Sequence, residues 1–169
     1  MAKLLNLSNL EYGVNQANDF IGYLDSAFGT LEVCADPNGL TSIRFVKDKS
    51  KAPNWCCNTQ QAVKQLDEYF VGKRTHFNLT LNAKGTHFQH QVWRALSHIQ
   101  YGQTCSYADI AKAINNPKAV RAVGAANGRN PLTIVVPCHR VIGSNGKLTG
   151  YAWGMSIKAS LLKLEHKAV

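Results

Sequence analysis

Residues 106–128 read SYADIAKAINNPKAVRAVGAANG, and this stretch decides how the C-terminal half of the chain folds. Ser106 is typical of a helix cap, and apolar side chains recur at helical spacing over residues 107–114. The dipeptide Asn116-Pro117 is typical of a helix cap followed by a first helical residue, so it predicts a second helix over residues 118–127. Two short helices joined by a tight polar turn form a helix-turn-helix pattern, which also occurs in other helical domains.

The second of these helices is unusual because it has almost no bulky side chains. Over residues 120–128, Arg121 is the single long side chain, and Gly124, Ala125 and Ala126 follow it. Small side chains let a helix backbone come close to another surface. That surface is either a binding partner or a neighbouring helix, and the pattern alone leaves both interpretations open.

Outward from this stretch, the chain divides into two parts. Residues 30–35 and 40–46 alternate apolar and polar side chains around a turn at 36–39, which predicts a β-hairpin. A helix over 60–70 and a strand over 77–81 follow, then a linker at 82–85. We therefore predict an α+β protein: a small N-terminal α/β domain (1–82) and a mainly helical, winged-helix-like C-terminal domain (86–169).

Three further elements are predicted in the C-terminal part. Thr86 caps a helix whose apolar side chains include Trp93. Residues 131–136 read as a buried strand-like run. A last helix over 157–167 carries a leucine stripe and has Glu165 near its end.

The composition indicates a globular protein. The chain has 169 residues, of which 45% are hydrophobic and 17% charged. No apolar run approaches the ~20 residues of a membrane helix, and the first residues lack the apolar core of a secretory signal. We therefore expect a cytoplasmic protein that does not enter membranes.

The positive charge is concentrated in one half of the chain. The net charge is +9, yet residues 1–85 hold nine basic and eight acidic side chains. Residues 86–169 hold ten basic side chains against Asp109 and Glu165. Clustered Lys and Arg displace counterions from phosphates, so this asymmetry favours a polyanionic partner over a basic surface kept for solubility.

The five cysteines do not form a disulfide or zinc pattern. Their number is odd and no Cys-x-x-Cys pair is present, which argues against a disulfide framework or a zinc ribbon. Cys138 stands apart because His139 follows it. A base oriented by a carboxylate such as Glu165 would turn this thiol into a nucleophile, whereas most buried thiols are inert packing residues.

The segment Pro137-Cys138-His139-Arg140-Val141 resembles the active-site motif of the O6-alkylguanine-DNA alkyltransferases. Other matching segments are Arg121-Ala-Val-Gly-Ala-Ala, Gly128-Arg-Asn-Pro131, Ile142-Gly-Ser-Asn-Gly, Gly150-Tyr151 and Leu161-Leu-x-Leu-Glu165. The resemblance covers residues 86–167 densely, while the N-terminal half matches only in layout. On these motifs the chain is identified as a member of that family.

The resemblance implies a DNA-repair enzyme that reverses damage directly. Such a protein flips the damaged base out of double-stranded DNA, which it binds in the minor groove as a monomer. It moves the alkyl group of O6-alkylguanine, and of O4-alkylthymine, irreversibly onto its cysteine. Each molecule reacts once, and no cofactor is needed.

The resemblance also implies catalytic roles for individual residues. Cys138 accepts the alkyl group, and His139 acts as its base through a water. Glu165 orients His139 and favours its protonated form. Asn130 braces the active-site turn, and Tyr107 crowds the target's phosphate and donates toward the leaving guanine.

Arg121 resembles the arginine that fills the gap left by the flipped nucleotide. The other residues expected to meet DNA are Tyr107, Ala122, Gly124, Ala125 and Asn127. The residues expected to form the substrate pocket are Val141, Tyr151, Ala152 and Trp153. Many relatives have glycine where Trp153 stands, so its indole either narrows the pocket rim or packs against the last helix away from substrate.

Some relatives hold zinc in the N-terminal domain, but Asp36 and Thr41 stand where ligands would be expected, so we predict no metal. Two other protein classes remain as alternatives: a helix-turn-helix transcriptional regulator with an unreactive thiol, and a cysteine hydrolase. The regulator leaves Cys138, His139 and Glu165 without a role. The hydrolase would turn over repeatedly, whereas an alkyltransferase stops after one transfer.

Overall fold

The computed structural model describes residues 20–166. Its elements, in chain order, are β1 (Phe20–Ser26), β2 (Gly29–Asp36), β3 (Gly39–Val46), α1 (Cys57–Phe70), α2 (His87–Leu96), β4 (Cys105–Ser106), α3 (Tyr107–Ala113), α4 (Val120–Gly128), a 3-10 turn (Cys138–Arg140), β5 (Val141–Ile142) and α5 (Met155–His166). The α+β class predicted from the sequence is confirmed. None of the helices among the described residues is long and apolar enough to cross a membrane.

The N-terminal half is an antiparallel sheet in the order β1-β2-β3, with α1 packed against it. The predicted hairpin is confirmed as β2 and β3. Strand β1 was not predicted from the sequence. Its Ile21 also bridges to Asn54. Gly22 lies under the ring of Trp55, and a Cβ there would come within 2.3 Å of it. A side chain at this position would have to displace the exposed ring of Trp55.

The free edge of β3 is shared by two segments from elsewhere in the chain. The amide of Leu40 donates to Thr80, and the amide of Ile43 donates to Pro131. Because each segment occupies only part of the edge, neither becomes a strand. The predicted strand over 77–81 is therefore wrong, since it is reduced to one bridge between Leu40 and Leu81.

The capping signals in the C-terminal half are confirmed at two helices. Thr86 and Gln89 form a capping box at the start of α2, and Ser106 and Asp109 form one at the start of α3. The predicted start of the next helix is wrong, because α4 begins only at Val120.

The late start of α4 follows from how the chain leaves α3. Asn115 adopts a left-handed conformation (φ 56°), and the amide of Asn116 returns to the carbonyl of Ala111. The amide of Ala119 then donates to the carbonyl of Asn116, which closes a turn around Pro117. Proline suits the second position of such a turn as well as it suits the first turn of a helix.

One hydrophobic core runs through both halves. Its buried members include Leu31 and Leu66 from the N-terminal half and Val123 and Leu161 from the C-terminal half. The division at residues 82–86 is therefore a division of the sequence, while the packing is continuous across it.

Residues 131–136, predicted as strand-like, form a buried turn instead. Ile134 has φ 73°, and the amide of Val135 donates to the carbonyl of Thr133 across it. That is a γ-turn, a conformation rare for a β-branched residue. The turn brings Pro137 and the 3-10 turn toward the interior, where all three residues of the 3-10 turn are buried.

Candidate functional site

A cavity of about 270 Å³ lies between α4, the 3-10 turn and the loop that precedes α5. Its lining residues are Tyr107, Gly124, Asn127, Gly128, Asn130, Thr133, Cys138, Gly150, Tyr151, Ala152 and Trp153. Most of the predicted site residues therefore meet at one place. A second cavity, of about 200 Å³, is lined in part by Tyr101, Pro137 and Arg140 and does not include Cys138.

Asn130 ties the turn before Cys138 to itself. Its Nδ2 donates to the carbonyl of Val136 at 2.8 Å, and its Oδ1 accepts from the amide of Leu132 at 3.0 Å. The side chain therefore spans the γ-turn and supplies the bracing that the resemblance assigns to it. Cys138 itself is 4% exposed. Burial raises the pKa of its thiol, while Asn130 opposes this shift.

Glu165 is the centre of a fully buried ionic cluster behind Cys138. Its Oε1 lies 2.7 Å from Nε2 of His139, and its Oε2 accepts from Nε of Arg140 at 2.9 Å. Burial raises the pKa of this carboxyl, but the hydrogen bonds from His139 and Arg140 outweigh that effect and lower it to about 2. Glu165 is therefore a carboxylate at neutral pH.

The carboxylate determines which nitrogen of His139 carries the proton. An ionised carboxylate can only accept, so Nε2 must be the donor. The other nitrogen, Nδ1, is buried and makes no hydrogen bond with the described residues. In the neutral ring Nδ1 is therefore the free acceptor, which is what a base requires.

Glu165 favours the protonated form of His139, as expected, but other effects on its pKa outweigh this contribution. Burial lowers the pKa of His139, and Glu165 opposes that shift. Arg140 and Lys158 lower it further, because their positive charges disfavour a second cation. Burial is the largest of these effects, so His139 is neutral at neutral pH.

Two predicted roles do not match the places of their residues. Val141 is fully buried in β5, pairs with Cys105 and does not line the cavity. Asn127, predicted to meet DNA, is 3% exposed because it lies on the inner face of α4. Its Nδ2 lies 3.5 Å from the carbonyl of Cys138, so it faces the 3-10 turn.

The outer face of α4 carries the other residues predicted to meet DNA. Arg121, Ala122 and Ala125 are exposed, and Gly124 is half-buried beside Tyr107. Arg129 follows at the end of the helix and is also exposed. This face is basic, and only small side chains of alanine and glycine are exposed between the two arginines.

Trp153 lies in the cavity wall. Its Nε1 donates to Oγ1 of Thr133 at 2.7 Å. Its ring packs edge-on against the ring of Phe45 in β3, with 5.9 Å between the ring centroids. The indole is therefore held between the cavity and the N-terminal sheet. Whether the indole narrows the rim for substrate stays a prediction.

Comparison with known proteins identifies the family. Residues 87–167 match the family described as "6-O-methylguanine DNA methyltransferase, DNA binding domain", and residues 20–83 match its "ribonuclease-like domain". A methylated-DNA–protein-cysteine methyltransferase of Methanosarcina acetivorans is 49% identical over 86% of this chain and 97% of its own length. The chain belongs to the 6-O-methylguanine DNA methyltransferase family.

Solved structures of this methyltransferase family have the same fold. The O6-methylguanine methyltransferase of Mycobacterium tuberculosis superposes with a TM-score of 0.81 at 42% identity, covering 89% of this chain and 94% of that one. A crystal structure of the M. tuberculosis protein in complex with DNA superposes with a TM-score of 0.80 at 45% identity, covering 87% and 92%.

Sequence reasoning missed three residues that complete the site of this methyltransferase. Arg140 was only part of a motif, yet it makes two bonds to Glu165 and one to the carbonyl of Ile99. Lys158 is fully buried, and its Nζ donates to the carbonyls of Val141 and Thr149. Tyr69 of α1 donates to Oε1 of Glu165. The helical spacing of Tyr69 and Lys158 among apolar residues was the only available signal of their burial.

Proposed function

We propose that this protein repairs DNA by moving the alkyl group of O6-alkylguanine onto Sγ of Cys138, one transfer per molecule. Membership of the family makes the chain a DNA-repair methyltransferase that transfers alkyl groups to a cysteine. The observation that carries the assignment to Cys138 is its position in the cavity wall, directly before the His139–Glu165 pair.

The reaction is a displacement at the alkyl carbon. A C–S bond to Cys138 forms while the bond from that carbon to O6 of guanine breaks. The thiol loses its proton to Nδ1 of His139 by way of a water molecule. The departing guanine gains one proton, so that protons balance over the reaction. Burial disfavours both the thiolate and the imidazolium. The Cys138 thiol and the His139 imidazole are therefore both uncharged at rest.

Two residues on the cavity wall are suited to help guanine leave. Tyr107 can donate from its hydroxyl to the departing base. Its oxygen also lies 3.3 Å from Oγ1 of Thr149, which restricts its rotation. Tyr151 lines the same wall, and burial raises the pKa of its hydroxyl, so it stays protonated and can donate.

DNA binding is assigned to the exposed face of α4. Flipping a base costs a few kcal/mol of unstacking and unpairing, so a side chain must fill the vacated position. Arg121 is long, planar and always charged, which suits both stacking and phosphate contacts. We place this face in the minor groove of double-stranded DNA, bound by a single copy of the protein, and O4-alkylthymine as a second substrate. A cytoplasmic location remains a prediction of the sequence.

Mass spectrometry tests the proposal. After mixing with duplex DNA that contains one O6-methylguanine, the Cys138 peptide should gain the mass of one CH₂, with one equivalent of DNA consumed per protein. Cys138→Ser should abolish the mass gain, because an alcohol is far less acidic than a thiol and is a weaker nucleophile. The same variant should keep its DNA affinity within about twofold.

The matched control is Cys105→Ser. Cys105 is half-buried, lies outside the cavity, and burial raises its pKa to about 11. This variant should transfer at the wild-type rate. Alkylation of Cys138→Ser would show that another residue is the acceptor, and repeated turnover would identify a hydrolase instead.

A further inference from the structure

The catalytic cluster receives a hydrogen bond from the N-terminal half of the molecule. Tyr69 lies in the last turn of α1 and is fully buried. Its hydroxyl donates to Oε1 of Glu165 at 2.7 Å, across 96 positions of sequence. The family resemblance assigned no role to this half of the chain, so the contact needs its own explanation.

With Tyr69, the carboxylate of Glu165 has no remaining acceptor capacity. Oε1 also receives Nε2 of His139 at 2.7 Å and Nη2 of Arg140 at 3.0 Å. Oε2 receives Nε of Arg140 at 2.9 Å and the amide of Gly102 at 3.3 Å. A carboxylate offers about four lone-pair sites, and five donors meet it here. Each donor takes up part of the negative charge that would otherwise stabilise an imidazolium.

We propose that Tyr69 is a positioning residue for alkyl transfer, whose hydroxyl fixes Oε1 of Glu165 and limits how strongly this carboxylate holds a protonated His139. The ring then keeps its proton on Nε2 and leaves Nδ1 as a neutral acceptor. This inference rests on the proposed function, because it assigns Tyr69 to the site of Cys138. It gives the N-terminal half a part in positioning the groups that carry out the transfer.

The other groups around the pair come from the C-terminal half. The charged groups that act on His139 are Glu165, Arg140 and Lys158. Tyr101 lies near Glu165, but its hydroxyl is buried and makes no hydrogen bond with the described residues. Its ring packs edge-on against the ring of Tyr69, with 6.1 Å between the ring centroids. Tyr101 is therefore a matched control: a neighbouring tyrosine that does not donate to the carboxylate.

The first experiment compares Tyr69→Phe with Tyr101→Phe. Phenylalanine keeps the ring packing of Tyr69 on Phe77 and Tyr101 and removes only the hydroxyl. Single-turnover transfer from an O6-methylguanine duplex is measured from about pH 5 to 9, with melting temperatures as a check on folding. Loss of one donor leaves Glu165 a stronger acceptor for protonated His139, so the acidic limb of the profile should move up by roughly half to one pH unit.

This shift has a characteristic dependence on pH. Tyr69→Phe should be slowed several-fold on the acidic limb and less than about twofold at high pH, where His139 is neutral in both proteins. Tyr101→Phe should follow the wild-type profile. A Tyr69→Phe protein that is slowed equally at every pH would overturn the proposal, because a structural role alone gives that result.

The second experiment follows His139 directly. Nitrogen-15 NMR of the imidazole, in protein without DNA, gives the titration midpoint and the tautomer of His139 in each variant. A higher midpoint in Tyr69→Phe than in wild type supports the proposal, and an unchanged midpoint overturns it. A wild type that takes up no alkyl group refutes the proposed function, and the NMR comparison then still tests the coupling of Tyr69 to His139.

Discussion

The exposed face of α4 and the buried cluster beside Cys138 use the same kinds of charge in opposite ways. Arg121 and Arg129 are exposed and form no ion pair within residues 20–166. Arg140 and His139 share one buried carboxylate at distances of 2.7–3.0 Å. An exposed, unpaired cation attracts phosphates over a distance, whereas a buried, paired one fixes the geometry of its neighbours.

The two acidic residues of the C-terminal half both lie away from the positive charges on the exposed face of α4. Asp109 is bonded within the capping box of α3, and Glu165 is fully buried. Neither residue offsets the positive charge of α4. The proposed DNA contacts and the proposed chemistry therefore rest on separate sets of charges, and mutations should separate the two activities.

The largest effect is expected from Glu165→Gln, in the buried cluster. The amide keeps the size of the side chain but leaves Arg140 without its counter-charge, which costs on the order of 3–5 kcal/mol of stability. Alkyl transfer should fall at least about a hundredfold, because an amide can bind His139 in the wrong tautomer. Thermal unfolding and single-turnover kinetics measure the two effects. DNA affinity, which we assign to α4, should change little, and a parallel loss of affinity would contradict the separation of binding from chemistry.

The same cluster predicts how stability depends on pH. The pKa of Glu165 is lowered to about 2 and that of His139 is lowered as well. Both groups therefore bind protons more readily in the unfolded chain, and stability is lost as the pH falls, first below about 6.5 and then below about 4.5. Melting temperatures between pH 3 and 7 measure this. In Glu165→Gln the lower part of the decline should be weaker.

The second effect concerns salt and the exposed face. If the exposed residues Lys112, Lys118, Arg121 and Arg129 each meet one phosphate, affinity for duplex DNA should fall roughly a hundredfold between about 50 and 200 mM salt. Titration of a labelled duplex at several salt concentrations gives the slope. An affinity that does not change with salt would contradict the proposal that α4 contacts the phosphates of DNA. The Glu165→Gln protein should keep the wild-type slope.

Arg121→Ala should have a smaller and more selective effect. Repair of O6-methylguanine in duplex DNA should slow by about tenfold or more, since no side chain then fills the vacated stack. Reaction with the free O6-alkylguanine base should stay within about twofold, because the free base needs no flipping. Single-turnover rates on both substrates measure this selectivity. Arg129→Ala is the control that removes one positive charge only. If Arg121→Ala slows the reaction with duplex DNA and the reaction with the free base equally, Arg121 supports the fold instead.

The smallest effect is expected at Trp153, where cavity and N-terminal sheet meet. An indole buries up to about 200 Å² and cannot shrink, so methyl transfer should be fast and benzyl transfer slow. Trp153→Gly should speed the reaction with free O6-benzylguanine several-fold and change methyl transfer little. Thr133→Val, which removes the acceptor of the indole N–H, tests whether that hydrogen bond holds the ring. If wild type and the glycine variant react with benzylguanine equally fast, the indole does not limit access.

The sequence predicted most of what depends on neighbouring residues. The hairpin β2–β3 and the caps at Thr86 and Ser106 are where the patterns indicate, because turns and capping boxes are formed by residues close in sequence. The predictions at 77–81 and at 131–136 failed for a common reason. Both segments compete for one sheet edge, and that competition appears only when distant parts of the chain meet.

The sequence by itself determined the family and the α+β class and singled out Cys138 as the proposed acceptor, since these depend on motifs and residue types such as Pro137-Cys138-His139-Arg140. Only the tertiary structure decided which charges are paired. It buried Glu165 among donors from both halves and left Arg121 exposed. It also placed Asn127 inward and Val141 outside the cavity. Burial and partners determine whether a charged group binds, positions or transfers a proton, and both depend on contacts between residues far apart in the chain.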